Sequence, residues 1–160
     1  MNPQIPNVAA ALSRVLASIP REQQPLLIAF AERLAATRYR SWAAEVADTR
    51  NAAELRACAD REEDIARRIE GLFPNAAAAQ SELVANHPEL DEINRSLFAG
   101  RSLAEQFAIQ AGGERLGART WTAFADHSPS SSARATFLVC AQLEEASALV
   151  LEALLASGAV

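Results

Sequence analysis

The sequence predicts an all-α protein: a bundle of four long helices, a short extra helix before them, and a long connection in the middle. Three observations carry this. Ala, Leu, Glu and Arg, all good helix formers, dominate the 160 residues. Strand signals are nearly absent, with few Val, Ile, Thr or Tyr and no sustained alternation. The connections between helical segments run short, long, short, the spacing of two helical hairpins joined by one crossover.

Residues 7–17 read as a short helix that Pro20 ends. The first long helix spans 24–47, with Pro25 in its first turn, where a missing N–H costs nothing. "DTRN" is a tight connection, and the second long helix covers 51–72 until Pro74 stops it. Residues 73–101 form the crossover, with one or two short helices and enough length to travel along the bundle. The third long helix, 102–127, opens at Ser102, which forms a capping pattern with Glu105. "SPSSS" makes the next turn, and 132–156 is the fourth long helix. The length suits one domain with a real core.

The net charge of −5 does not favour a nucleic-acid partner. Every basic residue is Arg, which with so much Ala reads first as coding bias and second as selection for bidentate pairing. Cys58 and Cys140 do not make a disulfide framework; they are small core hydrophobes or, alternatively, a redox pair or soft-metal ligands. No basic region precedes the apolar stretch in "MNPQIPNVAAALSRVLASIP", and no apolar run reaches the roughly 18 residues of a membrane span. The expectation is a cytoplasmic protein with no membrane partner. Its apolar N-terminal helix either covers the bundle or makes a homodimer.

One word is written nearly twice: "CADREEDIA" from Cys58 and "CAQLEEASA" from Cys140. Around it, "SWAAEVAD" parallels "TWTAFAD", pairing Trp42 with Trp121 and Asp48 with Asp126, so the chain reads as a duplicated hairpin. Helical spacing then selects one Glu per helix for the inner stripe. The second long helix carries Leu55, Cys58, Glu62, Ile65, Ile69 and Leu72; the fourth carries Phe137, Cys140, Glu144, Ser147, Leu151 and Leu154. The first gives Ile28, Glu32, Ala35, Tyr39, Trp42 and Val46, and the third Phe107, Ala111, Glu114, Ala118, Trp121 and Ala125. Glu63 and Glu145 fall beside the stripe. An aromatic follows each acid of the first and third helices by seven residues, Tyr39 after Glu32 and Trp121 after Glu114.

A buried carboxylate is costly unless paired, protonated or bound to metal. Four converging acids therefore predict either a cation between them or satisfaction by Arg38, Arg115, Arg119 or water. Counted from the expected boundaries, Glu32 lies farther from its turn than Glu62 by roughly 4 to 5 Å. In "AGGERLG", two glycines inside a helix cost roughly 2 kcal/mol relative to Ala. They predict close packing or a break near Glu114, or a π-bulge that aims it.

This pattern resembles the ferritin-like superfamily, over about residues 24–156. That family places Glu on its first and third helices and Glu-x-x-His on its second and fourth, with a Tyr seven residues after the first Glu in ferritins. Glu32, Tyr39 and Glu114 occupy the corresponding places, and Glu62 and Glu144 match the Glu of Glu-x-x-His. Ile65 and Ser147 stand where that motif has His. The resemblance implies a ferritin-like bundle with iron or manganese held by Glu32, Glu62, Glu114 and Glu144, and redox or oxygenase-type chemistry. The alternative is a metal-free divergent bundle acting as a binding or structural module.

Overall fold

The computed structural model describes residues 6–159. The first residues of the N-terminal stretch, on which the leader reading partly rests, lie outside the described residues. Among the described residues there are seven helices and no strand: α1 (Val8–Ala17), α2 (Gln24–Glu45), α3 (Thr49–Glu70), α4 (Ala76–Asn86), α5 (Glu89–Phe98), α6 (Leu103–His127) and α7 (Ser131–Ala156). None of them is long and apolar enough to cross a membrane.

Caps set the ends of the long helices. Val46 leaves the helical conformation, and Asp48, in extended backbone, accepts the Asn51 N–H at 2.8 Å. The segment "DTRN" is thus a cap and a first turn rather than a loop, so α2 stops and α3 starts about two residues earlier than expected. Ser130 caps α7 in the same way through the Ala133 N–H. Ser102 and Glu105 form the full capping box at the start of α6.

α2 packs along α3, α6 packs along α7, and the two hairpins meet through α3 and α7. α2 and α6 meet through long side chains, Trp42 on Phe107 and Tyr39 on Glu114, rather than along their backbones. The crossover holds α4 and α5. Gln80 of α4 ties it to the Leu26 carbonyl at 3.0 Å, and Gly100, at φ 72°, turns the chain from α5 into α6. α1 lies against α5 and α6 with Val15 buried, so it covers the α2–α6 gap.

The buried side chains form two apolar clusters along the hairpins. One gathers Tyr39, Trp42, Leu55, Cys58, Phe107 and Leu151; the other gathers Ile65, Ile69, Trp121, Phe137 and Cys140. Trp42 meets Phe107 at 4.9 Å between centroids and Tyr39 edge-on at 5.3 Å. α2 and α7 run from the second cluster to the first, whereas α3 and α6 run the other way. The crossover therefore travels the length of the paired hairpins, as the loop lengths require.

α6 is continuous through its glycines, with neither a break nor a π-turn. A Cβ at Gly112 or Gly113 would meet nothing within 4 Å, so close packing is not the reason for them either. Gly112 is exposed. Gly112→Ala is predicted to stabilise the chain by about 0.5–1 kcal/mol, since alanine costs less helix entropy. Thermal melts check this; a lower midpoint in the variant would contradict it.

Candidate metal centre

The four inner acids lie between the two apolar clusters, and all are buried: Glu62 is 0% exposed, Glu114 and Glu144 1%, Glu32 8%. Each stands thirteen residues from the helix end at its own hairpin turn: Glu32 from Glu45, Glu62 from Thr49, Glu114 from His127 and Glu144 from Ser131. The expected axial offset between Glu32 and Glu62 is absent, because the Asp48 cap places the turn two residues nearer Glu32 and two farther from Glu62. One shift of 82 residues relates the hairpins throughout, taking Glu32 to Glu114, Asp48 to Ser130, Cys58 to Cys140 and Glu62 to Glu144. It pairs Tyr39 with Trp121, which corrects the pairing of Trp42 with Trp121 and of Asp48 with Asp126. The hydrogen bonds agree: Trp121 donates its indole N–H to Glu144 at 2.8 Å, whereas Trp42 donates to Gln106 at 2.9 Å.

Glu32, Glu62 and Glu144 each offer an oxygen, and these oxygens lie within 4.8 Å of one another. Glu114 sits beside this trio, within hydrogen-bonding reach of Glu144. Its Oε1 accepts the Tyr39 hydroxyl and the Gln110 amide N–H, both at 2.7 Å. Ser147 donates its hydroxyl to Glu62 Oε1 at 2.9 Å, and Arg61 Nε–H donates to Ser147 Oγ at 3.2 Å. Glu62 Oε2 is buried with no partner.

Among the described residues no arginine pairs with any of these four acids. The guanidinium groups are engaged outside. Arg33 forks between Glu63 and Glu70, and Arg115, 82 residues on, forks between Glu145 and Glu152. Arg38 donates to Gln110 Oε1 at 2.8 Å and to Asn94 Oδ1, and lies 3.8 Å over the Phe98 ring. The expected ion pairs to Arg38 and Arg115 are therefore not formed. Each arginine has a nearer acceptor on its own face.

Burial, and next the charge of Glu114, push Glu32 up to about 8, although hydrogen bonding to Glu62 and Glu144 offsets part of this. Burial also raises Glu62 well above the carboxylate range, helped by the charges of Glu114 and Glu32. Glu144 is raised in the same way, by burial first and then by Glu32 and Glu114. Burial raises the Tyr39 phenol and the Cys58 thiol, and pushes Cys140 up to about 12. Both thiols are free, buried and protonated, which suits core packing rather than redox chemistry. Arg38 is brought down to about 10 by burial and remains a cation.

The residues fit a hard divalent ion. Carboxylate oxygens are the donors such ions take, and the orphaned Glu62 Oε2 is a buried acceptor with nothing to accept from. Gly117 cradles Glu144: a Cβ there would lie 2.4 Å from its Oε1 and 2.6 Å from its Cδ. Three residues after Glu62 and Glu144 stand Ile65, a buried hydrocarbon, and Ser147, already bound to Glu62. The donor set is thus oxygen alone. Sequence reasoning missed Gln110, Ser147 as a donor, Arg61 and Gly117. Gln110, one turn before Glu114, was available from helical spacing; the Gly117 contact crosses between helices and leaves no local signal.

No family model, curated protein or solved structure matches this chain.

The raised carboxyls fix the sign of an acid effect on the metal-free protein. Their folded values exceed the ordinary 4.5, so the folded state holds protons that the unfolded state has lost. The stability they contribute is fully present below about 4.5 and is lost as pH rises, with Glu32 spent by about 8. Melts of chelated protein are predicted to show a midpoint that falls between pH 5.5 and 8.5, with a smaller fall in Glu32→Gln. The exposed carboxyls held low, such as Glu105 and Glu152, titrate below this window. A midpoint that rises toward neutral pH would contradict the assignment.

Proposed function

We propose that this chain is a divergent ferritin-like protein that binds a hard divalent cation, Fe²⁺ or Mn²⁺, through Glu32, Glu62 and Glu144, with Glu114 alongside. Two antiparallel hairpins joined by a long crossover support the fold assignment, with one inward acid on each long helix and Tyr39 one face-turn beyond Glu32. The metal reading is carried by one observation: three buried carboxylates meet within 4.8 Å with no arginine among them. Such a group must either hold protons or surround a cation.

A bound ion of this kind supplies Lewis-acid polarisation and, for iron or manganese, one-electron chemistry. The chain's own residues set the environment. Trp121 and Ser147 orient Glu144 and Glu62 by donating to one oxygen of each, and Glu62 keeps its second oxygen without a partner. Tyr39 and Gln110 hold Glu114 to one side, and the Tyr39 hydroxyl keeps its proton on the phenolic oxygen beside that carboxylate. Apolar clusters close the layer at both ends along the bundle axis. Oxygen-only ligation gives binding that is weak and tolerant of several divalent ions, because imidazole donors are what favour the later transition metals.

Metal analysis of protein purified without chelator, followed by a Mn²⁺ titration read by electron paramagnetic resonance, tests this. The wild-type chain is predicted to bind Mn²⁺, and Glu62→Gln combined with Glu144→Gln to lose it. Gly117→Ala should weaken binding about tenfold or more, because its Cβ displaces the Glu144 carboxylate. Failure of the wild type to bind, or unchanged binding in the double variant, would favour the metal-free module instead.

A further inference from the structure

Above the carboxylate layer, in the gap between α2 and α6, lies a cavity of about 300 Å³ roofed by α1 and α5. Its walls are apolar, with Leu12 and Leu16 from α1, Leu34 from α2, Ile93 from α5, and Ile109 and Leu116 from α6. Glu32, Glu114 and Glu144 also line it, so the carboxylates form part of its floor.

The other polar side chains that line the cavity are engaged within the protein. Ser13 donates to the Ala10 carbonyl at 3.0 Å and Thr120 to the Leu116 carbonyl at 2.9 Å. Arg38 donates to Gln110 and Asn94, and Gln110 donates to Glu114. Arg38 is further held over Phe98. What remains for a guest is hydrocarbon surface and the acid end. An organic anion would give up its hydration beside these acids, with Arg38 already donating to Gln110 and Asn94, and an ammonium group would compete with the cation that the acids suit.

We infer that this cavity binds an uncharged apolar molecule with at most one polar group, which faces Glu32, Glu114 and Glu144. At interior packing density the space suits a guest on the order of ten non-hydrogen atoms. That the guest is acted on, rather than only held, rests on the metal reading above.

The test uses the full chain and three probes with one tail length: 1-octanol, octanoate and n-octylamine, each titrated by calorimetry. 1-Octanol is expected to bind saturably at one site per chain, with octanoate and octylammonium about tenfold weaker or more. Gly113 offers a clean block. It lines the cavity, and a side chain there meets no atom within 4 Å of its Cβ. Gly113→Leu should therefore fill the space and weaken 1-octanol binding about tenfold or more, while its melting midpoint stays at or above wild type because leucine is the better helix former. If that variant melts lower, Ile93→Trp, which fills from the α5 side, is measured in its place. No saturable 1-octanol binding, undiminished binding in the filled variant, or tighter binding of either charged probe would overturn the inference. Mn²⁺ titration of the wild type separates the two readings. Loss of Mn²⁺ binding alone rejects the metal, and loss of 1-octanol binding alone rejects the guest.

Discussion

Four carboxyl groups stacked into one layer of a hydrocarbon core are the constraint on which the rest of this structure depends. In that setting a carboxylate loses its hydration, and the crowding of like charges adds to the cost. The fold does not offset this with arginine. Arg33 and Arg115 pair with outer acids instead, each joining the two helices of its own hairpin in the same way. The inner acids receive only neutral donors: a phenol, an indole, an amide and a hydroxyl. Neutral donors orient a carboxylate without cancelling its charge, so the layer keeps its demand for protons or a cation.

The duplication keeps the acids and changes their neighbours. Across the 82-residue shift the four glutamates and the outer ion pairs are retained, while Tyr39 answers to Trp121, Ile65 to Ser147 and Ala35 to Gly117. Each change has a local consequence. Tyr39 offers a hydroxyl to Glu114, where Trp121 offers an N–H to Glu144. Gly117 lets Glu144 lie against the α6 backbone, where the methyl of Ala35 occupies the equivalent place on α2. Two like hairpins thus enclose an asymmetric centre, open on the side where the backbones of α2 and α6 stand apart.

Helical spacing in the sequence was enough to turn Glu32, Glu62, Glu114 and Glu144 inward and Glu63 and Glu145 outward, because burial of one apolar stripe fixes the phase of a helix. Loop lengths were enough to separate the hairpins and to give the crossover its span. The helix ends near Asp48 were displaced by two residues, since a cap and a turn use the same small polar residues and only backbone geometry tells them apart. The partners of the arginines were not legible. Arg33 and Arg115 each follow an inner acid by one residue yet reach across to the next helix, a choice made by rotamers and packing. The cavity was equally hidden, because it arises from the distance between two helices far apart in sequence and from the position of α1 over them.

The central claim is that the buried carboxyls hold protons until a cation replaces them. Calorimetric titration of Mn²⁺ into chelator-free protein at pH 7, repeated in two buffers of different ionisation enthalpy, counts the protons released per ion bound. With Glu32 pushed up to about 8, and Glu62 and Glu144 also raised, binding should expel about one proton or more per ion. Binding with no proton release, or no binding at all, would contradict this account.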